Sequence, residues 1–337
     1  MLTESGLVSY LARRMPEASE ISVTKLARIP GGASRETWSF EARWREDGAL
    51  RERGFIVRRD PTGSLLETDR DVEFRMYQAM AAAGVPVPPM YWIEPDGAGL
   101  ERPFFVMGRV EGETNGALLV SPSYGGSREE IARQKAQILA RIHRADWRAL
   151  GVEAFAGPAP TPETAARVEV ERWESIMRRD ALEPQPVLEA ALGWLKRNAP
   201  VAPAITVVHG DYRTGNFLYD DKKINAILDW EMAHLGDPME DIGWLCLRSW
   251  RHGTELAGGL VERERFYEMY ETAGGYPVDR RSVHFWEVLG NLKLAVIFLT
   301  GGRSLVEGRT ADLILAMTTR MIPGIEREIL TLLEAGP

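Results

Sequence analysis

The feature that most constrains this chain is a polar loop enclosed by two short apolar runs. The run Val207-Val208 leads into a His-Gly-Asp sequence ending at Asp211, and Asn216 follows five residues later. The run 226–228 ends at Asp229, thirteen residues after the asparagine. Short apolar runs bounded by turn residues are typical of buried strands. If these three polar residues were only turn residues and a strand cap, the two flanking strands would have no explanation. The sequence therefore predicts that strand, loop and strand bring them to one place.

The residue types at this place suit phosphoryl transfer from a nucleotide. One carboxylate orients the acceptor hydroxyl, while an amide and a second carboxylate hold Mg²⁺ against the phosphates. Mg²⁺ keeps waters and phosphate oxygens as ligands, so one or two protein oxygens suffice. The spacing resembles the kinase catalytic loop His-x-Asp-x-x-x-x-Asn followed by a metal-binding Asp. With Gly210 after the histidine and Trp230 after the last aspartate, it most resembles the aminoglycoside phosphotransferase-like family of small-molecule kinases.

This resemblance implies an α+β, protein-kinase-like fold with two lobes. Residues 1–108 would form a small mixed β/α nucleotide-binding lobe, and residues 109–337 a larger, mostly helical lobe with the catalytic loop and the acceptor site. The hydrophobic patterns agree, because strands alternate with period two and helices repeat near 3.6. They predict strands at 21–29, 37–44, 55–59 and 103–107, with one helix at 67–83. Later helices are predicted from 127 onward and at 172–180, 188–196, 239–250, 262–272, 282–300 and 310–333.

A glycine-rich turn lies between the first two predicted strands. Gly31, Gly32 and Ser34 belong to it. Glycines allow the backbone to approach phosphates, and successive N–H groups can cradle them, although Gly-Gly in a hairpin is commonly only a turn. The resemblance implies that this turn covers the nucleotide.

A cation for the phosphates is expected on the third strand, where protein kinases use a lysine paired to a helix glutamate. Strand alternation aligns Arg58 with that position, and Glu73 is the best partner on the next helix, with Glu67 second. Arginine keeps the charge and can bind phosphate through two N–H groups, but its planar head needs a different pocket. The alternatives are an exposed strand-end arginine and a solvated acid.

The resemblance also implies an inter-lobe hinge at 107–112, marked by Met107 and Arg109, where adenine would bond to backbone groups. Two histidines, His143 and His209, are expected to pack or anchor rather than to catalyse. In the segment after the second strand, Asp237 is positioned to cap the helix that begins near residue 238. Asp237 or Asp241 is expected to brace the catalytic loop.

Composition narrows the partners. The net charge is -8, so general nucleic-acid affinity is not expected. There is one cysteine, and no apolar run approaches the ~20 residues that span a bilayer. We therefore expect a cytoplasmic protein that binds a small molecule, with no nucleic acid or membrane as partner. The sequence does not indicate an oligomeric state.

The predicted function is a Mg²⁺-dependent O-phosphotransferase that uses ATP, with GTP as an alternative. Asp211 would be the catalytic residue, and Asn216 and Asp229 would bind the metal. The loop resembles the subgroup related to kinase-like domains of some acyl-CoA dehydrogenases. That likeness implies a hydroxyl acceptor of hydroxyacyl-CoA type or another non-antibiotic metabolite. The alternatives are an aminoglycoside phosphotransferase, a nucleotide-binding pseudokinase that regulates a partner, and a metal-dependent hydrolase.

Overall fold

A five-stranded antiparallel sheet dominates the N-terminal part of the computed structural model, which describes residues 2–30, 35–60, 69–309 and 317–336. The strand order is β1-β2-β3-β5-β4. The strands are β1 Ser19–Ile29, β2 Glu36–Glu46, β3 Ala49–Arg59, β4 Met90–Glu94 and β5 Phe104–Gly108. Register places Thr37 opposite Arg58 and Ile56 opposite Met107, so β3 lies at the centre of the sheet.

Two helices cover the two faces of this sheet. Helix α1, Glu4–Arg14, packs with Phe40, Phe55 and Val57 on one face. Helix α2, Arg70–Ala82, packs with residues of the opposite face, including Ile56. Because successive strand residues point to opposite faces, Arg58 shares the face of Ile56 and looks towards α2.

Sequence analysis predicted one helix in this region and was wrong in omitting α1, as well as the short strand β4. Helix α1 is capped by Thr3, whose hydroxyl accepts a hydrogen bond from the N–H of Gly6. Its second turn buries Leu7, Tyr10 and Leu11. The predicted helix at 67–83 begins at Arg70 in the described residues, capped by Asp69, and residues 67 and 68 lie outside them.

The rest of the described chain is mostly helical. In chain order the helices are α3 Gly116–Val120, α4 Arg128–His143, α5 Glu153–Ala156, α6 Ala165–Asp180, α7 Pro186–Asn198, α8 Met239–Cys246, α9 Arg263–Thr272, α10 Arg280–Val306 and α11 Ile322–Ala335. Four short strands pair in twos, β6 Thr206–Val208 with β9 His234–Gly236 and β7 Phe217–Tyr219 with β8 Ile224–Ile227. The predicted apolar runs thus form β6 and β8, although they are not paired with each other.

Several predicted helices differ from the structure in their bounds. Helix α6 begins at Ala165 rather than at 172, and α10 ends at Val306 rather than at 300. The helix expected at 239–250 ends at Cys246, because Leu247 is extended, and Arg248–Trp250 forms a separate 3₁₀ turn. The helix expected at 310–333 falls partly outside the described residues, and α11 begins at Ile322. The lobe boundary at 108/109 stays a prediction.

Helix α10 is the central element of the helical part. It has 27 residues and packs against α6, α7, α8 and α11. By length and apolar composition it could cross a membrane, with a mean hydropathy of 1.3 in its most apolar window, but 83% of that window is buried. Packing within the fold therefore accounts for its apolar character.

Candidate active site

The loop at residues 209–216, which is predicted to be catalytic, is held in place by one buried carboxylate. Asp241, in the first turn of α8, accepts the N–H of His209 at 2.8 Å and that of Gly210 at 2.9 Å. Its Oδ2 also lies 3.1 Å from Nε2 of His143. Burial alone would raise the pKa of Asp241, but the bond to His143 and the loop N–H groups outweigh it and lower the pKa. Asp241 therefore braces the loop as an anion.

Asp237 caps the helix instead. Its Oδ1 accepts the N–H of Met239 at 2.9 Å, and its Oδ2 accepts the indole N–H of Trp286 at 2.9 Å. Of the two aspartates considered, Asp241 touches the loop and Asp237 fixes the start of α8. The predicted capping role is confirmed.

His209 is a neutral anchor. Its Nδ1 faces the N–H of Asp211 at 3.2 Å, and its Nε2 faces the carbonyl of Leu228 at 2.9 Å. The first partner only donates and the second only accepts, so Nδ1 is bare and Nε2 carries the proton. Burial also lowers the pKa of His209. The ring ties the catalytic loop to the strand end that carries Asp229.

The Asp211 carboxylate is oriented by three side chains. Its Oδ1 accepts the indole N–H of Trp244 at 2.7 Å and Nε of Arg213 at 3.1 Å. Its Oδ2 accepts the amide of Asn216 at 2.5 Å. Because the Asn216 nitrogen faces Asp211, its oxygen is the group left to bind a cation. Leu228 donates its N–H to the Asn216 carbonyl at 2.9 Å, which brings the next residue, Asp229, beside the loop.

Asp229 connects the five-stranded sheet and α2 with the loop at residues 209–216. Its backbone is left-handed, with φ 68° and ψ 58°, and its N–H donates to the hydroxyl of Tyr77 on α2 at 2.9 Å. Its Oδ1 accepts Nη2 of Arg58 at 2.8 Å. Burial would raise the pKa of Asp229, but the Arg58 charge lowers it. The carboxylate is thus held ionised by an arginine.

Arg58 belongs to a larger ion-pair network. Its Nη2 lies 3.5 Å from Oε1 of the fully buried Glu73. Glu73 has a closer partner, because Nε of Arg35 lies 2.7 Å from its Oε2. Arg35 also pairs with Asp60. The expected Arg58–Glu73 pair is therefore present, but it is shared.

Sequence analysis did not single out Arg35. The available signal was its position, since it follows the glycine-rich turn directly and precedes β2. Gly31, Gly32 and Ser34 themselves lie outside the described residues, as does Glu67.

One donor in this network has no acceptor. Nε of Arg58 is buried and makes no hydrogen bond to any residue that the structure describes. Buried donors are nearly always paired. An unpaired guanidinium N–H beside Asp229 therefore suits an anionic ligand.

The two predicted hinge markers lie at the C-terminal end of β5, an inner strand of the sheet. Met107 is buried in β5 between Ile56 and Met90. Arg109 donates its N–H to the Gly54 carbonyl at 2.9 Å, and its guanidinium reaches Glu41 at 3.0 Å. Arg109 thus crosses the sheet face above Gly54, where an added Cβ would lie 2.8 Å from the guanidinium carbon.

An aromatic and cationic group flanks Asp211 on the other side. Arg213 lies over the ring of Trp250, with 4.7 Å from Cζ to the ring centroid, and the rings of Trp244 and Trp250 are 5.7 Å apart. The Trp250 indole nitrogen is buried without a partner among the described residues. Burial and the Arg213 charge lower the pKa of the nearby His252. Sequence analysis missed these residues, although Arg213 lies within the loop it singled out.

The donor set fits the metal that the resemblance implies. Asn216 offers an amide oxygen and Asp229 a carboxylate, both hard ligands of the kind Mg²⁺ prefers. The Arg58–Asp229 bond shows that a cation is already accommodated there at 2.8 Å. Two protein ligands are enough for an ion that retains waters and phosphate oxygens.

Comparisons with known proteins show the family and the fold of this chain. The model of the phosphotransferase enzyme family matches residues 26–286. Acyl-CoA dehydrogenase family member 10 of Mus musculus is 30% identical over 247 residues, covering 68% of this chain and 22% of that protein. The probable acyl-CoA dehydrogenase IBR3 of Arabidopsis thaliana is 25% identical over 268 residues, covering 74% of this chain and 30% of that protein. The chain thus spans less than a third of the length of these relatives.

Solved structures share the fold along nearly the whole chain. A putative aminoglycoside phosphotransferase from Ralstonia eutropha superposes with a TM-score of 0.73 and 21% identity, covering 99% of this chain and 98% of that one. A thermostable mutant of aminoglycoside phosphotransferase APH(4)-Ia, in complex with AMP-PNP and hygromycin B, gives 0.57 and 19%, covering 96% and 98%. The expected protein-kinase-like fold, with a sheet-containing lobe and a helical lobe, is confirmed. With the family model matching most of its length, this chain belongs to the phosphotransferase enzyme family.

Proposed function

We propose that this protein is a Mg²⁺-dependent O-phosphotransferase that transfers phosphate from ATP, or alternatively GTP, to a hydroxyl of a small molecule. The observation that carries the proposal is that two hydrogen-bonded pairs, Asp211–Asn216 and Asp229–Arg58, are joined by the bond from the Leu228 N–H to the Asn216 carbonyl. Asp211 is hydrogen-bonded to Asn216 at 2.5 Å, and Asp229 to Arg58 at 2.8 Å. These are the groups that phosphoryl transfer requires.

The chain's own residues divide the chemistry. Asp211, fixed by Trp244 and Asn216, orients the acceptor hydroxyl and takes its proton late, because the transition state is loose and positioning dominates. Asn216 and Asp229 would hold Mg²⁺, which would supply positive charge that neutralises the phosphates. Arg58 donates its unpaired Nε–H to a phosphate oxygen. Glu73 keeps the Arg58 guanidinium on the face of the sheet that α2 covers.

The nucleotide site extends along the sheet. The resemblance implies that Gly31, Gly32 and Ser34, which lie outside the described residues, bind the phosphates, and that the segment marked by Met107 and Arg109 receives the base through backbone groups. A likeness in fold to a phosphotransferase bound to AMP-PNP supports ATP as the donor.

The acceptor side favours an anionic or uncharged hydroxyl compound, such as a hydroxyacyl-CoA thioester. Arg213 lies 3.1 Å from Asp211 and stacks on Trp250, so a cation and an apolar surface both border the reacting position. A polycationic aminoglycoside would meet Arg213 at close range, where like charges repel. The names of the curated relatives, acyl-CoA dehydrogenases, point to the same class of acceptor.

Transfer of labelled phosphate from ATP to a panel of acceptors tests this proposal. The panel pairs hydroxyacyl-CoA thioesters with aminoglycosides, each with wild type and Asp211→Asn. We expect labelled hydroxyacyl-CoA with wild type only. Labelled aminoglycoside without labelled thioester would establish the alternative acceptor, while Mg²⁺-dependent ATP binding without transfer to any acceptor would favour a pseudokinase.

A further inference from the structure

Beneath the catalytic loop, one buried lysine touches both elements that orient Asp211. Lys293 lies in the middle of α10, and its side chain is 3% exposed. Its Nζ donates to the Gly210 carbonyl at 2.6 Å and lies 4.6 Å from the centre of the Trp244 ring. Trp244 in turn donates to the Asp211 carboxylate.

The bond to Gly210 fixes a particular peptide plane. The Gly210 carbonyl and the Asp211 N–H belong to the same planar peptide group. Lys293 binds the oxygen of this group, and His209 accepts its N–H at 3.2 Å. Gly210 has φ 79°, and an added Cβ would lie 2.5 Å from the Met232 carbonyl, so the peptide has little room to turn. Its orientation decides where the Asp211 side chain begins.

A chain of charges holds Lys293 in place. Glu240 binds Nζ of Lys293 at 3.2 Å through Oε1, and its Oε2 lies 3.1 Å from Nε2 of His234. The other ring nitrogen of His234 lies 2.9 Å from the Met232 carbonyl. Both partners of the ring accept only, so both nitrogens donate and His234 is an imidazolium.

These charged partners disfavour a metal ion at the same cluster. The side-chain ligand atoms of Glu169, His234 and Glu240 lie within 4.8 Å of one another, which is close enough to bind one metal ion. Their two carboxylates, however, already face the imidazolium and Lys293, and Arg172 lies 3.4 Å from Glu169. An imidazolium offers no lone pair to a metal. The negative charges of the cluster therefore compensate the buried positive charge of Lys293.

We propose that Lys293 is a positioning residue for the transfer reaction, which sets the orientation of Asp211 through the Gly210–Asp211 peptide and the Trp244 ring. The inference rests on the proposed role of Asp211. It assigns Lys293 no contact with nucleotide, metal or acceptor. Loss of Lys293 should thus slow turnover while leaving nucleotide affinity unchanged, because misplacing a reacting group by about 1 Å costs on the order of 100-fold.

Hydrogen exchange measured by mass spectrometry tests the inference without an acceptor or a nucleotide. Wild type is compared with Lys293→Met, which keeps the length and removes the charge, with Lys293→Arg, which keeps the charge, and with Asn291→Leu. Asn291 is a matched control, because it is buried on the same helix and, among the described residues, its side chain bonds to the Glu287 carbonyl of that helix alone. With Lys293→Met we expect loop amides 209–216 to exchange about tenfold faster. Lys293→Arg should restore part of the protection, and Asn291→Leu should leave the loop unchanged.

Turnover gives the second readout once an acceptor is known. Lys293→Met should lower kcat by about 10- to 100-fold and leave the KM for nucleotide within about threefold of wild type. Uniformly faster exchange throughout Lys293→Met, or loop exchange equal to wild type, would overturn the inference. Absence of nucleotide binding by wild type would refute the proposed function instead, and the exchange experiment would still be decisive for the loop.

Discussion

Two groups of residues at the candidate site are each held in place by a different kind of bond. On the sheet side, Arg35, Glu73, Arg58 and Asp229 bind one another through their side chains. On the loop side, Asp241 and Lys293 bind backbone groups of residues 209 and 210. Side chains that bind one another can exchange partners when a ligand arrives. A side chain that binds the backbone cannot leave without disturbing the loop.

This difference fits the proposed roles. The proposed nucleotide and metal ligands must accept phosphates and Mg²⁺, and a metal at Asp229 would compete with Arg58 for the carboxylate. The proposed catalytic carboxylate must instead stand ready before substrate binds, since preorganised groups cost no rearrangement during reaction. We therefore expect substitutions on the loop side to act on rate, and those on the sheet side to act on stability and ligand coupling.

The largest effect is expected for Asp211→Asn. The amide keeps the shape of the carboxylate but accepts no proton, so turnover should fall by about 100- to 10,000-fold. Nucleotide affinity, measured by calorimetry, should change by less than about threefold. A loss of nucleotide affinity that matches the loss of turnover would show that Asp211 binds nucleotide or metal, and would contradict this role.

Glu73→Gln should act on stability. Removing one partner of a buried ion pair costs about 3–5 kcal/mol. Because Arg35 keeps Asp60 and Arg58 keeps Asp229, we expect the lower end, about 3 kcal/mol, in urea unfolding.

Asp71→Asn on the same helix is the matched control for Glu73→Gln. Asp71 pairs with Arg75, and their side chains are 46% and 52% exposed, respectively. Exposed ion pairs contribute about 1 kcal/mol or less to the free energy of unfolding. Equal losses from the two variants would show that the buried network contributes no more than a surface pair.

Arg58→Met should change metal binding without nucleotide. Arg58 competes with a cation for Asp229, so its removal should tighten binding of Mn²⁺ alone by about tenfold while weakening Mn²⁺–ATP binding. Isothermal calorimetry measures both. Arg28→Met, at an exposed position near the end of β1, should change neither. Weaker Mn²⁺ binding in Arg58→Met would contradict the exchange of partners.

A further effect is expected from pH, through His234. Burial would lower its pKa, but Glu169 and Glu240 outweigh burial and raise it from 6.5 to about 9. Arg172 from α6 and Lys293 from α10 also face this cluster. A group whose pKa is raised on folding stabilises fully below its unfolded pKa, and that stability is lost as the pH rises through the folded pKa.

Unfolding free energy should therefore fall by about 2–3 kcal/mol between pH 7 and pH 10 because of His234. His234→Gln should show a flatter decline over the same range, measured by urea unfolding at each pH. An identical slope in the variant would mean that His234 is not an imidazolium in the folded protein.

Sequence predicted the parts of the site that local spacing determines. Asp211, Asn216 and Asp229 lie within nineteen residues, on elements whose apolar runs are easily recognised. Asp241 and Asp237 belong to a short segment immediately after them. In each case the geometry follows from one strand, one turn or one helix start.

The missed residues are remote in the chain or lack a pattern. Lys293 lies 83 residues from Gly210, and Trp244 lies 33 residues from Asp211. A lysine within an apolar helix was a visible signal, but its partner depends on how α10 packs. Strand β4 has only five residues after a proline-rich stretch, so its periodicity is too short to recognise. Tertiary packing, which single-sequence patterns do not contain, determines these contacts.

The most direct test of the central claim is thermal melting with ATP or GTP, with and without Mg²⁺, on wild type and Asp229→Ala. A ligand that binds only the folded state raises the melting temperature. The account predicts a nucleotide shift that requires Mg²⁺ in wild type and is lost in Asp229→Ala. No shift in wild type with either nucleotide, or an equal shift in the variant, would contradict it.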